Sequence, residues 1–377
     1  MGRSKRGGFK NTPPEQMLAA AFQGVLERGK ADPKHIDDIA VGNALQPAAG
    51  QVTARMAQFM AGIPETAGLM AVNRQCSSGL QACLNIAESI IGGRANCGIG
   101  SGVESMSYAS MMDIVNPDKL WEGIFENENA RNCMMPMGIT SENVATKYGI
   151  TREMQDQLAV DSHAKAAHAQ EHGYFTDEIV PVKTKLVDKD GNEKEVVISK
   201  DEGIRKGTTL PRLAKLKPAF KKGGSTTAGN SSQVSDGAAA VLIARRSFAK
   251  ANGMPIVGRF VGSAIVGVPV HLMGIGPACA IPVAVKRTGL KLDDIDIFEI
   301  NEAFASQATY CVENLKIDRK KLNPKGGAIA LGHPLGMTGA RMVATLLTEL
   351  KRTDKKFGVI SMCIGTGMGA AAVVERE

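Results

Sequence analysis

The chain has 377 residues, 44% hydrophobic and only 4% aromatic, with a formal net charge of +7. That length buries a large core in two or three lobes, and no apolar run approaches the ~18–20 uncharged residues of a membrane span. Seven cysteines, an odd count with no CxxC pair, argue against a disulfide framework or zinc ribbon and for a reducing compartment.

The positive charge suits a polyanionic partner. With so few aromatics and no nucleic-acid motif, a phosphorylated small carrier fits its sign as well as nucleic acid does. The start, Gly2-Arg3-Ser4-Lys5-Arg6, reads as a basic targeting tail without the apolar stretch of a secretory signal. The last residues, Val374-Glu375-Arg376-Glu377, are no peroxisomal tripeptide.

In chain order, Thr12-Pro13-Pro14-Glu15 offers an N-cap, a proline at N1 and a capping-box glutamate, followed by Met17, Leu18, Ala21, Phe22 and Val25 at helical spacing. Residues 39–41 and 71–74 read as short buried strands, the second feeding a helix over 77–91, and 97–102 reads as a strand of small residues. From 105 to 235 the character changes. An alanine-rich helix over 152–171 is followed by a hairpin about Asp190-Gly191, with arms 182–187 and 195–198, and by a Lys/Gly/Ser/Thr stretch over 215–232. This reads as an inserted lobe. Beyond Gly237 strands alternate with helices again, at 238–244, 256–266, 296–300 and 358–361, which predicts an α/β fold with a core sheet.

The two α/β regions echo each other. Cys76-Ser-Ser-Gly79 matches His333-Pro-Leu-Gly336, and Ile99-Gly-Ser-Gly102 matches Ile364-Gly-Thr-Gly367, at offsets of 257 and 265. Near-equal offsets predict a duplicated half. The strand at 256–266 then has its counterpart at or before the amino end, so the first half is expected to begin after its own first strand.

Cys76 stands at a strand-to-helix junction, where free N–H groups and the helix dipole favour thiolate. Small neighbours, Ser77, Ser78 and Gly79, leave room for a substrate. Cys83, Cys97, Cys133, Cys279 and Cys311 read as ordinary packing cysteines. His333 lies in a tight Gly332-His-Pro-Leu-Gly336 turn that presents its ring to a cavity. His163, His168 and His172 sit on a polar helix with no acidic or cysteine cluster to complete a metal site. Around Cys363 the run Gly365-Thr-Gly367-Met-Gly369 lacks phosphate-loop spacing and suits clearance and backbone N–H donors instead.

Taken together, these segments closely resemble the thiolase family and, within it, the peroxisomal-type 3-ketoacyl-CoA thiolases. The resemblance rests on Asn73–Gln81, Gly102–Met106, Pro136–Val144, Ser225–Gly237, Asn301-Glu-Ala-Phe304, Gly332–Gly336 and Cys363–Gly369, and runs from Gly2 to the end. It implies the thiolase fold, two duplicated α/β halves in α-β-α-β-α layers with an inserted loop domain. The halves would be 1–104 with 236–255, and 256–377; residues 105–235 would cover the coenzyme A site.

The resemblance also implies roles. Cys76 is the acyl-accepting nucleophile, Cys363 the acid and base, and His333 the activator of Cys76. His333 and a water held by Asn301 bind the enolate oxygen, while the N–H groups of Cys76 and Gly365 form a second oxyanion hole. Met137, Ala303 and Phe304 match positions lining the pantetheine tunnel; Ser263 lies one residue past a pantetheine-contacting serine. Lys215 and Lys217, with Lys221 and Lys222, are candidates for the nucleotide phosphates. Coenzyme A is a co-substrate, with no permanently bound cofactor and no metal; a homodimer, or a tetramer, in the peroxisome is implied, with mitochondrion or cytoplasm the other settings. Pro136 before Met137, where short-chain enzymes commonly carry histidine, points to medium or long chains. Met337 stands where relatives often have cysteine or a small residue. The family pattern begins with a strand and an Arg-Thr-Pro turn ahead of Gly2, so a shortened chain without a targeting signal is expected. The other readings are a short-chain acetoacetyl-CoA thiolase, a decarboxylating ketoacyl synthase, and a catalytically impaired acyl-CoA or lipid-binding protein.

Overall fold

The computed structural model describes residues 1–377 apart from the side chain of Asp113. Its first half runs β1 (Gly2–Arg3), α1 (Pro14–Gly29), β2 (Asp38–Gly42), α2 (Gln51–Met60), β3 (Gly68–Val72), α3 (Ser78–Ile91) and β4 (Cys97–Ser105). A lobe follows with α4 (Glu128–Asn132), α5 (Met137–Tyr148), α6 (Arg152–Glu171), the hairpin β5 (Val182–Val187) and β6 (Glu193–Ile198), and α7 (Leu210–Ala214). The chain then returns through β7 (Ser235–Ala244) and α8 (Arg246–Ala251). The second half is β8 (Gly258–Gly267), α9 (Gly276–Arg287), β9 (Ile297–Ile300), α10 (Ala305–Asn314), α11 (Ala328–Leu331), α12 (Leu335–Arg352), β10 (Phe357–Ile364) and β11 (Met368–Arg376).

The sheets have matching topologies. One is ordered β1-β7-β4-β2-β3 and the other β8-β11-β10-β9. In each, a central antiparallel pair (β4 with β7, β10 with β11) adjoins a parallel neighbour (β2 or β9). A parallel bridge from Phe298 to Leu322 marks the place that β3 holds in the first half. Even the capping repeats: Asp37 accepts from the amides of Asn96 and Cys97, and Asp296 from those of Lys356 and Phe357.

That pairing corrects one of the two motif matches. Ile99–Gly102 lies inside β4, whereas Gly365–Gly367 is the turn joining β10 to β11. The lobe between β4 and β7 takes the place of that short turn. Glycine-rich composition made the two runs look alike although they sit at different points of the repeat. The last strand, β11, was not anticipated; its Ala370-Ala-Ala stretch is fully buried and carries little strand preference of its own. The strand expected at 71–74 ends at Val72, because the chain must turn before Cys76. Thr12 does not cap α1. With two prolines following, Pro13 takes the cap, and the Thr12 hydroxyl meets Thr184 Oγ1 at 2.6 Å, tying α1 to β5. The edge held by all of β8 in the second half is met in the first only by Gly2 and Arg3, paired to Asp236 and Ser235.

The small-residue pattern of β4 has a direct cause. Cys97, Ile99 and Val103 face a core shared with α1. The alternating Gly100 and Gly102 face the helices between the sheets: a Cβ on Gly100 would stand 2.5 Å from the Cys83 backbone, and one on Gly102 2.1 Å from the Gly336 carbonyl. Helices α3 and α12 form that middle layer, with α1 and α2 outside one sheet and α9 and α10 outside the other. They cross almost backbone to backbone. A Cβ on Gly79 would meet the Gly336 oxygen at 2.6 Å, and one on Gly339 the Leu80 nitrogen at 2.3 Å.

Gly79→Ala should therefore cost about 1–3 kcal/mol by overpacking, read as a lower urea midpoint. Val197→Ala, on the exposed hairpin, should stay within about 0.5 kcal/mol.

Candidate active site

The crossing places the starts of α3 and α12 side by side. Cys76 lies two residues ahead of α3 in a turn that puts Gln75 at φ 48°. Asn73 Oδ1 accepts from the Gln75 amide, and Ser78 Oγ bonds the Arg74 amide and the Gln75 carbonyl, so the turn is fixed on both sides. The thiol is buried, with the N–H groups of Gly365 and of Cys76 itself directed at it. Burial pushes it up to about 11, the Glu104 charge adds to this, and the two N–H groups oppose it. The thiolate expected from the helix terminus is therefore not the resting form. Desolvation outweighs the donors, and the same N–H groups are left to act on charge as it develops.

His333 follows Gly332, whose φ of 110° and lack of a side chain are both required, since a Cβ there would stand 2.3 Å from Ser235 Oγ. Its Nδ1 lies 2.6 Å from Thr338 Oγ1, and that hydroxyl donates to the Pro334 carbonyl at 2.9 Å. With its proton spent, Thr338 accepts from Nδ1–H, which leaves Nε2 with the lone pair of the ring. Burial holds the imidazole down to about 4, so it is a neutral base. Asn301, at the end of β9, aims Nδ2 at Nε2 across 3.3 Å. Cys363, on β10, is fully buried and held well above the ordinary thiol range, first by burial and then by neighbouring Cys76.

Gly365 sits in the turn after β10, with Thr366 and Gly367 at φ 69° and 86°. Cys363 packs in one cluster with Met273, Ala303, Met137 and Phe304. The lobe reaches this cluster through Phe220, whose ring stands edge-on to Phe304 at 6.0 Å and lies over Gly138. Lys215, Lys217, Lys221 and Lys222 are exposed on the same segment. Ser263 is not drawn in: it stands halfway along the edge strand β8, opposite Ala372, with its carbonyl held by Arg287.

Sequence reading assigned no role to three residues here. Thr338 had a usable signal, a hydroxyl one helical turn past His333. Glu104 ends β4 and accepts from the amides of Ala44, Leu45 and Gly336, joining the two halves beside Cys76; burial lifts it to about 7. Phe220 had no signal, because only the tertiary fold brings it near Phe304. Among the described residues no group of three His, Cys, Asp or Glu is placed to hold a metal ion, and no helix is long and apolar enough to cross a membrane. His168 and His172 stack on each other at 4.0 Å.

The duplicated α/β frame thus carries a buried thiol with two N–H donors, a second thiol beside it, and a neutral imidazole bonded to a side-chain amide. The family profiles described as thiolase, N-terminal domain and thiolase, C-terminal domain match residues 1–247 and 254–376. The chain belongs to the thiolase family. It is 60% identical over 376 residues to the peroxisomal 3-ketoacyl-CoA thiolase A of Mus musculus, covering 100% of this chain and 88% of the relative. With the peroxisomal 3-ketoacyl-CoA thiolase of Homo sapiens it shares 59% identity over 374 residues, covering 99% and 88%. The dimeric peroxisomal thiolase of Saccharomyces cerevisiae superposes with a TM-score of 0.91 at 47% identity, over 100% of this chain and 94% of that one. Human mitochondrial 3-ketoacyl-CoA thiolase in complex with CoA gives 0.89 at 36%, covering 100% and 95%.

Because Thr338 sets the His333 tautomer, Thr338→Val should slow alkylation of Cys76 by iodoacetamide about 10–100-fold, and Thr338→Ser should restore it. Peptide mass spectrometry of the labelled Cys76 segment reads both.

Proposed function

We propose that this chain is a 3-ketoacyl-CoA thiolase that cleaves medium- and long-chain 3-ketoacyl-CoA with coenzyme A in a ping-pong reaction. The observation that carries this is the pair of N–H groups on Cys76 Sγ, with the Cys363 thiol beside it and His333 in the turn ahead of the crossing helix α12.

The resting site is neutral, so proton and charge move together. His333 Nε2 takes the Cys76 proton as the sulfur attacks the 3-keto carbon, and the N–H groups of Cys76 and Gly365 hold the tetrahedral oxyanion. The bond between C2 and C3 then breaks, its electrons pass to the thioester oxygen, and the acyl chain stays on Cys76. Protonated His333 and a water held by Asn301 bind the enolate oxygen, and the Cys363 thiol gives C2 its proton, releasing acetyl-CoA. Coenzyme A next gives its thiol proton to Cys363 and attacks the acyl-Cys76. Collapse of the second tetrahedral intermediate frees the shortened acyl-CoA, and Cys76 regains its proton from His333. Removing one oxyanion donor typically costs ~10²–10³ in rate.

Met137, Ala303 and Phe304, under Phe220, form the apolar cover for the pantetheine arm, and the exposed lysines from Lys215 to Lys222 serve its phosphates. In this reading 1–104 with 236–255 and 256–377 are the two halves, and 105–235 is the cover. A homodimer is supported by the exposed apolar side chains of α2, Val52, Met56, Phe59 and Met60, close to the edge strand β3. The peroxisomal setting rests on the names of the relatives, and the place in fatty-acid β-oxidation on the 3-ketoacyl-CoA substrate proposed above. Pro136, exposed ahead of α5, favours longer acyl chains over the short-chain acetoacetyl-CoA reading.

The deciding experiment is coenzyme A-dependent loss of 3-ketoacyl-CoA, comparing sixteen-carbon with four-carbon substrates. The long substrate should be preferred, and Cys76→Ala should lower turnover at least about 10⁴-fold. Preference for the four-carbon substrate would overturn the chain-length reading; near wild-type turnover by the variant would overturn the mechanism. Acid protonates the base His333, and burial holds that protonation down to about 4. The acid limb of kcat/KM should therefore fall near there, not at the free-imidazole value of about 6.5.

A further inference from the structure

Behind Asn301 lies a second acid that this mechanism does not use. Glu299 stands two residues earlier, on β9, and both residues border one cavity. It is 3% exposed and, among the described residues, its carboxyl has no hydrogen-bond partner. Asn301 Oδ1 is likewise buried without one. A small cavity is lined by both residues together with Met1, Thr338, Arg341 and Thr345, with about 30 Å³ open to the centres of water molecules. That is room for about two waters, at ~10–15 Å³ each.

The protein donors lining the cavity are committed elsewhere. Thr338 gives its proton to the Pro334 carbonyl, Thr345 bonds Glu178, and Arg341 serves Glu178, Asp201 and Thr345. The nearby cations are engaged as well: Lys325 pairs with Glu178, Arg341 with Glu178 and Asp201, and the Met1 ammonium with Asp201 at 2.6 Å. A Glu299 anion would lie buried without a hydrogen bond, attracted by Lys325 and repelled by Glu178, Glu349 and Glu302. Burial is the first cause that lifts this carboxyl, to about 8. A neutral carboxyl is an O–H donor, and Asn301 Oδ1 is an acceptor in want of one.

We propose that Glu299 is a positioning residue for this reaction: protonated, it donates through water in this cavity to Asn301 Oδ1 and so holds the amide with Nδ2 toward His333 and the enolate oxygen. The flipped amide would set Oδ1 against the lone pair of His333 Nε2, two acceptors face to face. The inference rests on the thiolase reading, because only enolate formation calls on Asn301. Acyl exchange between an acyl-CoA and free coenzyme A passes through acyl-Cys76 without an enolate.

The test separates these two half-reactions in the full-length enzyme. In Glu299→Leu, cleavage of 3-ketoacyl-CoA should fall about tenfold, the scale of ~1.4 kcal/mol, while exchange of labelled coenzyme A into acyl-CoA stays within about twofold. Glu299→Gln keeps an N–H donor and should recover cleavage. Equal loss of both reactions, or loss of neither, overturns the proposal. If the leucine variant does not fold, infrared difference spectra of wild type and Glu299→Gln decide. The carbonyl stretch of a protonated carboxylic acid should be present in wild type at neutral pH and absent from the variant, and its absence from wild type overturns the proposal. Wild-type enzyme that exchanges acyl groups but does not cleave would instead refute the proposed function, leaving the protonation of Glu299 to the infrared result.

Discussion

The site depends on one close contact, the crossing of α3 and α12 between the two sheets. Each helix comes from a different half, and each begins with a turn that carries a reactive side chain. Because Gly79, Gly336 and Gly339 let the backbones nearly touch, the two starts lie next to each other, which brings together the turns that carry Cys76 and His333 although 257 positions separate them. Glu104 reinforces the contact from β4 by holding amides from both halves. Larger residues at the crossing would push the helices apart, and a thiol and an imidazole in separate pockets do no chemistry together.

Burial, the cost of this close packing, also sets the electrostatics. Cys76 and Cys363 are raised, His333 is lowered, and Glu104 and Glu299 are lifted toward the neutral form. A buried site of neutral groups avoids the penalty of resting buried charges. Burial also strengthens the N–H donors of Cys76 and Gly365 when charge appears on an oxyanion. The lobe completes the enclosure. Where the second half turns from β10 to β11 within a few residues, the first half inserts α4 to α7, and Phe220 returns to close over Phe304.

The periodicity of α1, α3 and α6, the hairpin at Asp190-Gly191 and the alternation of strands and helices were legible because they are local, set by neighbouring side chains and turn residues. Cys76, His333 and Cys363 stood out as candidates because each lies in a short stretch of glycine, proline or small residues that shapes a turn, whereas Asn301 was singled out only through the family resemblance. Thr12 was misread because adjacent prolines moved the cap by one position. The buried strand β11 was missed because its alanines owe their state to β8 and β10 on either side.

The amino-acid sequence by itself determined the duplicated α/β plan, the reactive residue types and the turns that present them, since these follow from side-chain chemistry and contacts near in sequence. Only the tertiary structure decided the burial that shifts the titrating groups, the tautomer of His333, the contacts of Thr338, Glu104 and Phe220, and the cavity shared by Glu299 and Asn301. Desolvation and hydrogen-bond direction depend on what surrounds a group in space, and those surroundings come from segments far away along the chain.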